Sequence, residues 1–396
     1  KCLLPHLSYI CPKLTPMSQK KVIVLGAGMV GRAMAIDLVK DYEVYSADIN
    51  IDALEKLESY GVRTIHADLT SKELITSLIE DKDLVIGAVP GFMGYETLKT
   101  VIEAGKNASD ISFFDEDPFQ LDALAKSKGV TAVMDVGVAP GMDNIILGYH
   151  NKRMQVTDFV CLVGGLPAAR LWPYEYKAPF SPIDVLEEYT RPARYVQDGK
   201  LVVKEALTDP ELMDFAGIGT LEAFNSDGLR SLIRTMPNIP NMIERTLRYP
   251  GHIALMKVMR ETGFFSKEFI DVKGQHIRPI DLTSKLLFPK WKLGDEEHEF
   301  TVMRVIVGGI EQGENVTYTY DLLDRYDPAT KTSSMARTTG YTCTAAARLI
   351  LNGDYTRKGI STPEFLGEEE AHFKMIMSFM QSREITYHVQ RKVAGK

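Results

Sequence analysis

Three glycines and one aspartate are the residues of this sequence best placed to do chemistry. Gly26, Gly28 and Gly31 form Gly-x-Gly-x-x-Gly directly after the apolar run Val22–Leu25, and the segment behind them reads as a helix over Arg32–Lys40. Such a turn offers backbone N–H groups and a helix N-terminus to a pyrophosphate. Gly26 permits the tight bend, Gly28 lets the backbone approach the phosphates, and Gly31 lets the helix pack closely on the strand. Ala27, Met29 and Val30 complete the turn. A second strand, read from Tyr42 to Ala47, ends at Asp48, about 20 residues further on, where a carboxylate accepts hydrogen bonds from ribose hydroxyls. The alternative for Asp48 is an ordinary surface acid at a strand end. No Arg or Lys occurs in Ile49-Asn50-Ile51-Asp52. A 2′-phosphate would meet uncompensated negative charge there, so NAD is expected over NADP.

The elements that must position these groups alternate. Strands are expected at 22–25, 43–47, 63–66, 83–88, 109–113 and 131–135, with helical patterns such as 71–79, 94–104 and 118–126 between them. Repeated βα units imply an α/β fold, a doubly wound parallel Rossmann sheet with helices on both faces. Ligands of such sheets lie outside the carboxyl ends of the strands. The residues expected beside the cofactor are therefore Asp48 and Ile49, Asp68 and Leu69, Ala88, Val89 and Pro90, Asp110, and Val138 and Ala139. Beyond Gly148 the rhythm changes, with strand-like segments at 156–163, 194–197, 201–204, 269–273, 299–308 and 316–323. This reads as a second, α+β domain with a mostly antiparallel sheet. Ser334–Asn352 reads as a long helix whose small residues let it return against the first domain. The expected division is an extension over 1–16, a dinucleotide domain over 17–145, a substrate and oligomerisation domain over 146–333, and a C-terminal segment over 334–396.

The 396 residues exceed a typical single core, in keeping with two domains. With 45% apolar and 25% charged residues the composition is that of an ordinary soluble protein. A formal net charge of −7 and the lack of a basic stripe argue against nucleic acid as a partner. No apolar run approaches membrane-spanning length. The four cysteines, Cys2, Cys11, Cys161 and Cys343, have no metal-like spacing, so a reduced, cytoplasmic protein without a metal is expected. Pro5, Pro12 and Pro16 make the first sixteen residues a poor signal peptide, and Met17 reads as a natural start.

Several residues of the second half are of types suited to binding or proton transfer. Lys177 lies between Tyr176 and Phe180; a desolvated lysine there has a lowered pKa and suits acid/base work, whereas a solvated one merely packs its stem. Arg230 and Arg248 carry the guanidinium fork that matches a carboxylate, against the default of surface arginine. Gly164 and Gly165 follow an apolar strand and either admit substrate to the backbone or form a turn. His252 suits a general base, but more readily starts a helix. Asp143 and Asn144 read as helix caps, and Asp115-Glu116-Asp117 as a solvated loop. No Gly-x-Ser-x-Gly elbow suggests a hydrolase.

Longer phrases carry a resemblance. Asp135-Val136-Gly137-Val138-Ala139-Pro140-Gly141-Met142, Val163-Gly164-Gly165-Leu166-Pro167, Glu187-Glu188-Tyr189-Thr190-Arg191-Pro192-Ala193 and Thr246-Leu247-Arg248-Tyr249-Pro250-Gly251-His252 together resemble the saccharopine dehydrogenase family. Within it, the first and third of these phrases look most like lysine 6-dehydrogenase. The resemblance implies hydride transfer at the terminal C–N bond of the lysine side group, or of an adduct such as saccharopine. It also implies a role for Lys177 in catalysis, pocket walls at Leu166 and Phe180, and a homodimer or higher homo-oligomer. Two departures bear on substrate: saccharopine reductases tend to carry Asp where this sequence has Ala139, and Asn-Arg-Asp where it has Asn225-Ser226-Asp227. Lysine 6-dehydrogenases often have Asn in place of Lys177. A carboxynorspermidine-type substrate and a non-catalytic dinucleotide sensor are the alternatives. A methyltransferase, which uses a related glycine turn, leaves the later phrases unexplained.

Overall fold

A computed structural model of the protein describes residues 19–294 and 296–395. The extension 1–16, with Cys2, Cys11 and the start expected at Met17, lies outside the described residues. The first half supplies strands β1 (Lys21–Leu25), β2 (Glu43–Asp48), β3 (Arg63–His66), β4 (Leu84–Gly87), β5 (Asn107–Asp110) and β6 (Thr131–Val133). The second supplies β7 (Gln155–Pro167), β8 (Ala193–Gln197), β9 (Lys200–Lys204), β10 (Glu211–Phe215), β11 (Gly219–Asn225) and β12 (Asn241–Arg248). A small hairpin, β13 (Ile270–Val272) and β14 (Gln275–Ile277), and the long pair β15 (Glu299–Glu311) and β16 (Glu314–Arg325) follow. The last strands are β17 (Gly359–Ser361) and β18 (Tyr387–Val393).

The first sheet runs β17-β6-β5-β4-β1-β2-β3, all neighbours parallel. This is the dinucleotide-binding order, with the strand sequence reversing direction across the sheet between β1 and β4. Val22 to Leu25 are wholly buried, as expected of a parallel strand covered on both faces. The seventh strand, β17, comes from beyond residue 350. Sequence pattern does not reveal it, because three residues of Gly-Ile-Ser carry no readable period.

The second sheet runs β10-β11-β12-β7-β15-β16-β18, with β8 and β9 attached through β12. It is mostly antiparallel, as expected, with β12 lying parallel to β7. Among the described residues no helix is long and apolar enough to cross a membrane.

The helix Ser334–Asn352 returns to the first domain. Its Gly340 lies against Val30 and Met34 of the helix Met29–Leu38; an added Cβ there would come within 3.0 Å of Met34. A buried charge cluster locks the two helices together. Asp37, 1% exposed, accepts from Thr344 Oγ1 at 2.7 Å, Arg348 Nη1 at 2.9 Å and Arg383 Nε at 2.8 Å. Since the helix Met29–Leu38 begins at the glycine turn, this cluster also fixes the turn.

Removing one partner of a buried ion pair leaves the other charges uncompensated. Asp37→Ala should therefore destabilise the protein by roughly 3 kcal/mol. Urea unfolding with an unchanged slope would show this as a lowered midpoint; a shift within error of zero would mean that the cluster does not hold the helices.

Candidate active site

One cleft of about 1370 Å³ joins the two sheets. On the first-domain side it is lined by Gly26, Gly28, Met29, Val30 and Gly31, then by Asp48 and Ile49, Asp68 and Leu69, and Ala88, Val89 and Pro90. Val138 and Ala139 close that side. Each group follows the carboxyl end of a strand or opens the helix after it, where a doubly wound sheet presents its ligand site.

The turn is built by close backbone approach. Gly26 has φ +111°, and a Cβ on it would meet the Ala88 carbonyl oxygen at 2.4 Å. A Cβ on Gly31 would lie 2.1 Å from the Gly26 oxygen, so the helix meets its strand only if residue 31 is glycine. Gly28 differs: nothing lies within 4 Å of the Cβ position, and the helix that starts at Met29 receives no hydrogen bond from a capping residue. Unsatisfied N–H groups beside open space are what a pyrophosphate needs. The residues present therefore fit a dinucleotide.

Asp48 closes the turn from the second strand. Its Oδ2 accepts from the Ala27 N–H at 2.5 Å and its Oδ1 from the Asn50 N–H at 2.7 Å. The Ala27 N–H is thus spent on Asp48, and Ala27, 2% exposed, does not line the cleft. Asp110 is likewise absent from the lining. It is buried beneath Gly87 and accepts from the Ser112 N–H at 2.6 Å, and burial pushes its carboxyl up to about 6. Its successors Ile111, Ser112 and Phe113 line the cleft in its stead.

On the second-domain side, Gly164 and Gly165 of β7 reach the cleft, as do Phe180 and Arg248. Leu166 does not: the strand turns it to the far face, against Leu162, Leu247 and Phe300. Lys177 is also outside the lining. Its ammonium donates to the Lys292 carbonyl at 3.2 Å and lies 3.5 Å from Glu297. Arg230 is pinned to the first domain, donating to Asp135 at 2.6 Å and to the Phe114 carbonyl at 2.9 Å, with φ +42°. It ties the domains together instead of waiting for a carboxylate.

Arg248 is at the wall, but every nitrogen of its guanidinium already has a protein partner. Nε donates to Tyr189 at 3.0 Å, Nη1 to the Leu247 carbonyl at 2.9 Å, and Nη2 to Glu188 and to Tyr176. An open fork for a substrate carboxylate is not what this geometry provides. His252 starts a helix, with Nε2 3.0 Å from Tyr189 and Nδ1 2.8 Å from the Tyr174 carbonyl. Burial pushes its pKa down to about 3, so it stays neutral. Asp143 and Asn144 accept from the Gly141 N–H at 2.9 and 3.3 Å, satisfying the start of a buried helix.

The sequence reading missed the acidic part of the wall. Glu187, Glu188 and Arg191, the loop Ser226-Asp227-Gly228, and Glu244 and Thr246 of β12 all line the cleft. Glu244, Thr246 and Arg248 share one face because residues two apart on a strand point the same way. Burial pushes the Glu244 carboxyl up to about 8; a hydrogen bond from Ser226 opposes this, and Asp143, Glu188 and Asp227 add to it. Recognising 241–248 as a strand would have brought these residues out. Among the described residues no group of His, Cys, Asp or Glu is arranged to hold a metal ion, and Cys161 and Cys343 are buried free thiols.

Known proteins place this geometry. Residues 22–133 match the family profile described as saccharopine dehydrogenase NADP binding domain, and residues 137–385 that described as saccharopine dehydrogenase C-terminal domain. The sequence is 24% identical over 425 residues to alpha-aminoadipic semialdehyde synthase, mitochondrial, of Mus musculus, covering 88% of this protein and 46% of that one. It is 29% identical over 272 residues to saccharopine dehydrogenase [NADP(+), L-glutamate-forming] of Pyricularia oryzae, covering 64% and 59%. Carboxyaminopropylagmatine dehydrogenase of Synechocystis is 21% identical over 372 residues, covering 87% and 92%. The match thus spans about half the length of the first two of these relatives. The fold matches that of apo saccharopine dehydrogenase (L-Glu forming) from Saccharomyces cerevisiae, with a TM-score of 0.74, 21% identity, and coverage of 94% and 100%. With both profiles matched in order and together spanning most of its length, the protein belongs to the saccharopine dehydrogenase family.

Proposed function

We propose that this protein is a dinucleotide-dependent oxidoreductase that moves hydride at the terminal C–N bond of the lysine side group, or of a lysine adduct such as saccharopine. The observation that carries the reading is the single cleft running from the Gly26–Gly31 turn to Gly164, Gly165 and the polar face of β12. A dinucleotide seated on the turn and a small amine against the second sheet would share one space. The names of the relatives, saccharopine dehydrogenase and carboxyaminopropylagmatine dehydrogenase, fit a C–N bond as the reacting unit. A sensor without catalysis would need no ionisable wall, whereas here Glu188, Asp227 and Glu244 line the cleft.

When bound, a nicotinamide supplies the hydride acceptor. The protein's part is to bind, to orient and to deprotonate. The terminal amine of lysine has a pKa of about 10.4 and must lose its proton before its carbon gives up hydride. The carboxylates of the wall are the groups present to take that proton. The resulting imine hydrolyses to an aldehyde, releasing ammonia from lysine or an amine from an adduct. The second-domain sheet is proposed as the contact between copies in a homo-oligomer.

For the cofactor, the matched profile and the Pyricularia oryzae and Saccharomyces cerevisiae relatives carry NADP in their names, which leans against NAD. This protein's own residues support NAD. Asp48 lines the cleft at the end of β2, where it would meet the ribose, and Ile49, Asp68, Leu69 and Thr70, which line the same cleft, bring no cation to a 2′-phosphate.

Absorbance at 340 nm, with each dinucleotide and with lysine, saccharopine or carboxynorspermidine, tests the activity. Reduction with lysine or saccharopine is expected, and silence with all three would sink the oxidoreductase reading. In titrations of the free protein NAD should bind at least about tenfold more tightly than NADP, since a buried or half-buried like-charge contact costs more than about 1.4 kcal/mol. Tighter NADP binding would remove the role given to Asp48.

A further inference from the structure

Several charges on the second-domain wall are paired within the protein; among the described residues that line the cleft, Asp184, Glu244, Lys285 and Lys292 have no ion pair, and Glu244 is the one of these on the strand face of β12. Arg194 grips Asp227 with Nε and Nη2, each at 2.8 Å. Arg248 holds Glu188, and Arg191 lies between Asp115 and Glu187. Glu244, 5% exposed, receives only the Ser226 hydroxyl, at 3.0 Å on Oε2, and no cation among the described residues lies within ion-pair reach. Ser226 is braced in turn by Thr246, hydroxyl to hydroxyl at 2.7 Å. Gly228 makes the room: a Cβ there would lie 2.0 Å from the Glu244 carboxylate. A carboxylate kept in the cleft without a cation is costly unless a ligand brings one.

We propose that Glu244 is the binding group for the cationic nitrogen at the far end of the substrate's aliphatic arm. This deepens the oxidoreductase reading above and rests on it. The wall selects that terminal nitrogen over the α-nitrogen. An α-ammonium arrives with its carboxylate attached, and such a pair requires a cation next to the anion. The nearest arginine on the same strand face, Arg248, is four residues away, about 13 Å along the strand. Its charge is committed to Glu188. An isolated carboxylate matches an isolated ammonium at the end of an aliphatic arm. Val163, Phe180 and Met335 line the same cleft and suit that arm.

A second consequence concerns protons. Facing Glu244 are Asp143, Glu188 and Asp227 from three neighbouring segments, Cys161 from β7 and Arg248 on its own strand. Burial holds the free carboxyl up to about 8, so at pH 7 it retains its proton. Docking of an ammonium ionises it, and one proton leaves for solvent.

The test is calorimetric titration of the whole protein, saturated with reduced dinucleotide so that no turnover occurs, with L-lysine and with L-norleucine. The wild type should bind lysine roughly 10- to 100-fold more tightly than norleucine, as expected for a charge-assisted hydrogen bond. Lysine binding at pH 7 should release about one proton, read from the dependence of the heat on buffer ionisation. Glu244→Gln should erase the advantage of lysine and the proton release, leaving norleucine affinity within about twofold. Equal weakening of both ligands, or an intact lysine advantage in the variant, would overturn the proposal. So would a wild type that binds both ligands equally, whatever the variant does.

Stability provides a further readout. A carboxyl whose folded pKa is raised favours folding below its unfolded pKa and loses that contribution as pH climbs towards about 8. Glutamine lacks this loss, so the melting temperature of Glu244→Gln relative to wild type should rise between pH 5 and pH 9; a falling difference would contradict an unpaired Glu244. Selective lysine binding without any dinucleotide reduction would refute the redox reading alone. Reduction without a lysine advantage would refute this one alone.

Discussion

Close approach of bare backbone at the glycine turn is the constraint on which the rest of the cleft depends. Gly26 passes under Ala88 and Gly31 rests on the Gly26 carbonyl, so β1, the loop after β4 and the first helix converge within van der Waals distance. A larger residue at either position would separate them and dissolve the N–H cradle at Gly28. The convergence is secured from behind. Asp37 binds Arg348 and Arg383, both contributed by the C-terminal part of the sequence, and Gly340 lets the returning helix settle on Val30 and Met34. The cofactor side of the cleft is thus shaped by residues more than 300 positions apart.

The two lobes meet through polar contacts that leave the cleft between them open. Arg230 reaches Asp135 and the Phe114 carbonyl, while Glu364, wholly buried, accepts from Asn144, Ser231, Thr235 and Thr362. These links consume polar groups that would otherwise be free to meet substrate. The same holds for Arg248, whose guanidinium is enclosed by Tyr176, Tyr189 and Glu188. What is left to face a ligand includes the unpaired carboxyls of Glu244 and Asp184 together with the lysines Lys285 and Lys292.

Much of the first domain was legible because its signals are local. The glycine spacing, the acid after the second strand and the buried runs of β1 and β4 each follow from a few consecutive residues. The long helix 334–352 was also visible, since its period extends over five turns. The second domain was harder to read for a physical reason. β12 carries Glu244, Thr246 and Arg248 on its cleft face, so the polar residues that equip it for function also erase its apolar alternation. β17 is three residues long and exists only because β6 offers an edge. Lys177 and Arg230 are of types suited to the chemistry, yet where such residues point depends on partners far away in sequence: Lys292 and Glu297 for one, Asp135 for the other.

A crystal structure of the protein with oxidised dinucleotide and a non-reacting lysine analogue would test the central claim most directly. The account predicts the pyrophosphate against Gly26, Gly28 and the N-terminus of the helix Met29–Leu38, with the nicotinamide facing the β7–β12 wall and the analogue between them. A dinucleotide that leaves its ring in solvent, or a cleft that admits no ligand between the two lobes, would contradict it.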